Sequence, residues 1–505
     1  MTSAGSAASV AKASVAAGSS NSSNSSSLRD VPDLVRTFVE WWFAQFRQKR
    51  THEIHAVYEL HFGKLTERFF KASPWPTAET IAPLVEHDAL FLVLYNTLWF
   101  KHLAAKLPVS LDARADAHLN TLALFDVVLA AKQPADIDAD LPLPWVWHIV
   151  DSFVQQVADL AHLRAAVDVS AELPDAKLAD VHAAIDCLER LVAKSSVVQC
   201  LAEERVVGFG AQPLVYALGY FAIVGAARLR CALGDYAGAL RTAAPINSAK
   251  KGLYSRVIAC HASLFHTLAF AHLMQRQHAE CVRVASALLV LMHRTKQFNF
   301  RAPTSGVQLT PDALYALLAL ASALFSSVLD DSVRVAVRER FIDQMARVTR
   351  GRADAFEELF TLASVRHLPA PGTAAPAKRA AGAAPLHSAE CARAIAAARR
   401  AADHAAAVRA SQMLSTVMPQ LRSILRLYST IDVSKLAKLL QLDNAACRQL
   451  LAEYAKHVAP SDISFRLDGD MLQVIEPPRV AKEKPSEVFA RQVRKLDALN
   501  AQSSK

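Results

Sequence analysis

Between Ser423 and Glu476 the apolar positions fall first at helical and then at strand spacing. Ile424, Leu425, Leu427 and Tyr428 make one apolar helical face. Asp432 is placed to cap a second helix with Leu436, Leu439 and Leu440 on one side. Asp443 is placed to cap a third, with Ala446, Leu450, Leu451 and Tyr454. Only Gln441, Leu442 and Asp443 separate the last two, a helix-turn-helix spacing. Two runs of strand-forming residues follow, Ile463–Leu467 and Met471–Ile475, around Asp468-Gly469-Asp470. Asp-Gly between such runs predicts a hairpin, because glycine takes the positive φ that a tight turn needs. Three helices and a hairpin are the plan of a winged helix.

Upstream, the pattern is helical almost throughout. Val31 to Leu107 packs aromatics densely (Phe38, Trp41, Trp42, Phe43, Phe46, Phe62, Phe69, Phe70), as a core does. Ser73-Pro74-Trp75-Pro76 breaks it, since proline lacks an amide donor and restricts the residue before it. A single apolar helix is expected from about Ala78 through Phe91, Leu94, Leu98 and Phe100, and another over Leu111–Ala131. Pro134–Pro144 reads as a loop, and Trp145-Val146-Trp147 opens the next helix. The middle repeats itself. Helix Leu214–Leu233, turn Gly234-Asp235 and partner helix from Tyr236 recur as helix Val257–Met274, turn Arg276-Gln277 and partner helix from His278. Helix pairs of this kind hide their apolar faces only by stacking, so tetratricopeptide-like repeats in an α-solenoid are predicted. Leu314–Leu329 and Phe356–Phe360 supply further helices. The expected fold is mainly α, a helical-repeat array followed by a winged helix and a terminal helix. The predicted divisions are a Ser/Ala-rich tail (1–30), an N-terminal helical domain (31–200), the repeat array (201–367), an Ala/Pro-rich linker and helix (368–410), the winged helix (411–476), and a closing helix with its tail (477–505).

Composition narrows the class. Hydrophobic residues make up 52% of 505, which suits a mostly folded chain of more than one unit. No run of eighteen uninterrupted apolar residues suggests a membrane span. Residues 1–27 lack the apolar segment of a secretory signal. Seven cysteines without a C-x-x-C pair read as buried, inert thiols in a reducing compartment, here the cytoplasm. The net charge is +9, and residues 376–505 hold 20 Lys and Arg against 12 Asp and Glu. The basic excess therefore lies almost wholly in the last quarter, where it suits a polyanion or an acidic partner surface. Candidate polyanion contacts are Arg393, Arg399, Arg400, Arg409, Arg491, Arg494 and Lys495.

No phosphate-binding glycine loop, nucleophile elbow or H-E-x-x-H motif occurs. Gly208-Phe209-Gly210 reads as a turn. His52-Glu53-Ile54-His55, with Glu59 and His61 beyond, lacks a zinc-motif spacing and reads as a polar helix face. The expectation is a protein that is not an enzyme and has no cofactor or metal. The third helix of the winged-helix stretch, Asn444–His457, offers only Arg448 and Lys456 against Glu453, too few for a base reader. Docking of protein partners is the better expectation. The hairpin residues Phe465, Leu467, Leu472 and Val474 would divide between core and edge. Val488, Phe489, Val493, Leu496 and Leu499 would line one side of a closing helix over Glu487–Leu499.

A helical array feeding a C-terminal winged helix resembles the PCI family, the scaffold subunits of the proteasome lid, the signalosome and translation initiation factor 3. Within it, several stretches resemble the subunit L family of initiation factor 3: Lys64–Lys71 with Ser73–Pro76, Leu218–Phe221 with Leu233–Tyr236, Tyr254–Val257, His293–Lys296, and Lys435–Lys438. The Ser/Ala-rich start, the acidic Asp136–Asp140 loop and the Pro371–Arg409 segment depart from that pattern. The resemblance implies a non-catalytic subunit that supports preinitiation-complex assembly on the small ribosomal subunit and mRNA recruitment. It also implies K and E subunits as neighbours through winged helices and bundled C-terminal helices. Weak contact with RNA and membership of another PCI complex are the alternatives.

Overall fold

The computed structural model describes residues 31–137, 139–167, 180–295, 300–301, 308–324, 329–369, 388–414, 418–457 and 464–475. The expected N-terminal tail and the closing helix Glu487–Leu499 lie outside the described residues.

The chain opens with α1 (Asp33–Arg47), α2 (Thr51–Ala56), a π-helical turn (Val57–His61) and α3 (Phe62–Phe69). Trp42, fully buried, lies edge-on to Phe91 at 4.8 Å between ring centres. The Ser73–Pro76 break is a structural staple. Trp75 is buried and stacks on Phe62 at 4.4 Å and 12°. Its indole N–H donates to Thr66 Oγ1 at 2.9 Å. The Trp99 indole donates to the Trp75 carbonyl and the Tyr95 hydroxyl to the Pro76 carbonyl, both at 2.8 Å. A buried backbone without ladder partners needs such donors.

The single helix expected from Ala78 is in fact two. α4 (Ala78–Ile81) runs into a 3-10 turn around Pro83, and Glu86 and His87 take left-handed φ values of 54° and 55°. Asp88 then caps α5 (Ala89–Lys106), accepting from the Phe91 amide at 2.9 Å. Apolar periodicity cannot see this break, because both segments bury the same kind of residue. α6 (Leu111–Ala130) and α7 (Leu143–Ala166) follow as expected. Trp145 donates to Thr97 Oγ1 at 3.1 Å and ties α7 to α5.

α8 (Val181–Ser195) and α9 (Val197–Glu203) precede the repeats. α10 (Pro213–Leu233) is 21 residues long and apolar enough to cross a membrane, yet 83% of its most apolar stretch is buried inside the protein, against α7 and α8. It reads as a core helix. Gly219 permits this packing: a Cβ there would meet Ser195 Oγ at 1.8 Å. Gly234, at φ 90°, ends α10 in the left-handed conformation that favours glycine. Asp235 caps α11 (Tyr236–Ala243) by accepting from the Gly238 amide at 2.8 Å. α12 (Ile258–Met274) and α13 (His278–Thr295) repeat the arrangement. A short ribbon of β1 (Phe300–Arg301) and β2 (Gln308–Leu309) leads to α14 (Pro311–Leu324), α15 (Asp331–Thr349) and α16 (Ala353–Ala363). One continuous core runs through this array from Val31 to Leu414.

α17 (Ser388–Met413) packs on α7 and α16. Expected to be exposed on several sides, this Ala-rich helix buries a stripe of Cys391, Ile395, Ala402, Ala406, Ala407 and Ala410. The extended chain from Ser364 to Leu368 is wedged beneath it. His367 donates its amide to Asp403 Oδ1 at 3.0 Å and accepts from or donates to Tyr236 through its ring. The His367 carbonyl meets His162 Nε2 at 3.0 Å, and Leu368 donates to the Ala232 carbonyl at 2.9 Å. Arg366 donates to Gln155 Oε1 at 2.6 Å and lies 3.6 Å from Asp159. Burial pushes the Arg366 guanidinium down to about 10, with Arg399 adding to the shift. Leu368, the first residue of the expected linker, is itself part of the core.

The seven cysteines are free and buried. Burial pushes the Cys187 thiol up to about 11 and raises those of Cys231, Cys260 and Cys281 further. Such thiols are poor nucleophiles at neutral pH.

Candidate partner-docking surface

After α17 the chain builds a second, separate core from α18 (Met418–Leu425), β3 (Thr430–Asp432), α19 (Val433–Leu440), α20 (Asn444–His457), β4 (Ser464–Asp468) and β5 (Met471–Ile475). The sheet order is β3-β5-β4, antiparallel throughout. The expected hairpin is present, and Gly469 at the turn has φ 64°. Its first strand is described from Ser464, so Ile463 lies outside the described residues. The third strand, Thr430–Asp432, was not expected. Three residues between two helices carry too little periodicity to signal a strand, although Ile431, buried opposite Leu472, is its apolar mark.

Asp432 caps α19 as expected, accepting from the Ser434 amide at 3.4 Å and from the Ser434 hydroxyl. That hydroxyl holds the half-buried Asp432 carboxyl below its usual range, with the Ser434 and Val433 amides helping. Asp443 opens α20 through its carbonyl, which accepts from Cys447 at 2.8 Å. Three expected core positions differ. Leu427 is 81% exposed, because α18 ends at Leu425 and the face cannot continue. Leu439 is exposed while Ala437 takes the inward place, and Cys447 rather than Ala446 is buried on α20.

The four candidate docking residues of the hairpin divide unevenly. β5 is the central strand, bonded on both sides, so Leu472 (fully buried) and Val474 belong to the interior. Both therefore fall on the core side of the expected division between core and edge. β4 is an outer strand with no second strand partner among the described residues. Phe465 stacks on Tyr454 at 5.9 Å and 24° and faces the core, while Leu467 is 42% exposed. The backbone groups of β4 that turn away from β5 are available to another strand. Val488, Phe489, Val493, Leu496 and Leu499 lie outside the described residues, as do Arg491, Arg494 and Lys495.

The cationic candidates on α17 do not form one patch. Arg393 and Arg400 are exposed and seven residues apart, which puts them on one helix face. Arg409 is exposed elsewhere along the helix, and Arg399 is half-buried beside Arg366. On α20, Arg448 pairs with Asp470 in the hairpin turn. The position where a base-reading helix would present a cation is thus already engaged, a pairing that sequence separation hid.

The His52–His61 stretch lies on α2 and the π-turn, and no group of three or more His, Cys, Asp or Glu side chains that could hold a metal occurs among the described residues. Gly208–Ala211 forms a 3-10 turn.

A helical-repeat array that ends in a winged helix with its own core defines a PCI-type protein. The family described as RNA polymerase I-associated factor PAF67 matches residues 113–496. The chain is 32% identical to Eukaryotic translation initiation factor 3 subunit L of Gallus gallus, over 93% of this chain and 90% of that protein. It is 31% identical to the Homo sapiens protein of the same name with the same coverage, and 28% identical to that of Nematostella vectensis over 93% and 92%. The chain belongs to the subunit L family of eukaryotic translation initiation factor 3.

Proposed function

We propose that this chain is a non-catalytic, cytoplasmic scaffold within the initiation factor 3 complex, and that β4 is the strand through which its winged helix docks a neighbouring subunit. The carrying observation is that the outer edge of β4 has no strand partner among the described residues, on a small domain whose other outer strand, β3, is only three residues long. An edge of five residues with a half-exposed Leu467 suits addition of a partner strand. Subunits K and E are the proposed neighbours, with the segment 487–499 joining a shared helical bundle, and the small ribosomal subunit is the proposed platform. The proposed divisions remain the helical array through about 367, the linker and helix to 410, the winged helix to 476 and the terminal helix.

Leu467→Lys tests this reading. The position tolerates a charge in the isolated chain because it is half exposed. Co-purification with the other subunits is expected to fall by about tenfold, equivalent to about 1.4 kcal/mol. Removal of 477–505 is expected to weaken recovery further. Full recovery of the complex by both variants would overturn the docking assignment.

Arg393 and Arg400 support a second, weaker contact with RNA. Two exposed cations on one face give a small, salt-sensitive affinity and no sequence preference.

A further inference from the structure

A wide groove opens where α2, the chain before α7 and the start of α10 meet, with a cavity volume of about 1240 Å³. None of its lining residues belongs to the winged helix or to α17. Its walls are aliphatic and ring-like: Leu141, Pro142, Pro144, Pro213 and Leu253, with Tyr216 as the one tyrosine. Prolines leave few backbone donors in the wall, so side chains carry the polar recognition. Their permanent charges are two cations against one carboxylate. Lys251 and Arg256 are exposed and make no ion pair among the described residues, and His52 and His55 of α2 also line the groove. The Nδ1 of His55 is buried without a hydrogen-bond partner. Asp140 is the one carboxylate among the lining residues.

We propose that this groove docks an extended acidic segment of a partner protein, with carboxylates meeting Lys251, Arg256 and the histidines, and aliphatic side chains resting on the leucines and prolines. The size favours a peptide over a metabolite, since small-molecule pockets reach only about 1000 Å³. The chemistry disfavours nucleic acid. A strand of RNA needs a row of cations for its phosphates and several aromatic platforms for its bases, and this groove has two permanent cations and one tyrosine. The His52–His55 pattern, which fits no metal motif, takes its place here among the polar side chains that line the groove.

The test uses the full chain and a fluorescein-labelled dodecapeptide of alternating glutamate and leucine, titrated by anisotropy. A labelled oligouridylate of equal charge is the comparison probe. Saturable peptide binding is expected, weakened about tenfold by Lys251→Glu with Arg256→Glu, about the effect of losing two partly screened ion pairs. Arg393→Glu with Arg400→Glu, which reverses the same charge outside the groove, is expected to change it less than about twofold. Both double variants alter exposed side chains, and unchanged circular dichroism establishes that they fold. The proposal is overturned by absent peptide binding, by equal loss in both double variants, or by oligouridylate binding more tightly than the peptide with the same dependence on Lys251 and Arg256. The docking role of β4 does not enter these measurements, so either proposal can fail alone.

Discussion

The helical array and the winged helix solve the same problem at different scales. The array buries a large main core from Val31 to Leu414 with fully enclosed aromatics such as Trp42, Trp145, Phe221 and Phe356, beside a small separate cluster of Leu111, Ala115, Leu163, Cys391 and Ile395. Among the described residues the winged helix has a core of twelve buried residues around Leu436, Leu451 and Leu472, with Tyr454 the one buried aromatic. Domains of about 60 residues bury a smaller fraction of their surface and are correspondingly marginal. The two regions touch lightly: α18 lies against α14, and Gln420 donates to the Arg350 carbonyl. Rigidity is thus concentrated in the array, while the region with the open strand edge is the one with least core of its own. A docking module gains from that arrangement, because a partner strand adds stability where the free chain has little.

The largest expected blow to this contrast is Trp75→Ala. It removes the stack on Phe62, leaves the Thr66 hydroxyl without its indole donor, and opens a cavity in the array. A loss of about 3–5 kcal/mol in denaturant unfolding is expected. Leu472→Ala is expected to cost about 2–5 kcal/mol within the winged helix. Proteolysis should then cut between 418 and 475 while the array's unfolding midpoint stays where it was. A matching fall in that midpoint would show that the two cores unfold as one.

Acid should act on the array first. Burial pushes His118 down to about 4 and His148 to about 3. Their unfolded values lie near 6.5, so below that pH the unfolded chain takes up protons that the folded rings refuse. Stability contributed by keeping these rings neutral is complete above about pH 6.5. It falls with pH, by roughly 1 kcal/mol per unit and ring, until the folded values are reached. Melting temperature should therefore drop between pH 7 and pH 5. His118→Phe, which keeps a ring stacked on Phe153, should flatten that slope. The smallest effect belongs to Arg448→Ala. Both partners of the Arg448–Asp470 pair are largely exposed, and a loss of under about 1 kcal/mol is expected from winged-helix unfolding.

Much of this was legible in the chain because it follows from local pattern. Gly234-Asp235 marks a helix stop and a helix cap, and both are used so. Asp468-Gly469 marks the hairpin. What escaped depends on partners far away in sequence. β3 exists only because β5, some forty residues later, offers it an edge. α17 looked exposed because alanine carries no strong apolar signal, yet small side chains are what allow it to lie close on α7. The candidate docking residues were legible as a hairpin, but assigning Leu472 and Val474 to the interior required the strand order. The charge of Arg399 was legible and its half-burial beside Arg366 was not.

The wedge formed by Ser364–Leu368 has a consequence for biosynthesis. Gln155 and His162 wait for Arg366 and His367, which follow them by 211 and 205 residues. At about 5–20 residues per second, a ribosome needs roughly 10–40 s to bridge that interval. For that time the polar stripe on α7 stands without its plug and the groove for α17 is open on a nascent chain. A protein whose family works on the first step of translation therefore completes its own core only late in its own translation, and chaperone cover is expected to be needed most while residues 167 to 367 are emerging.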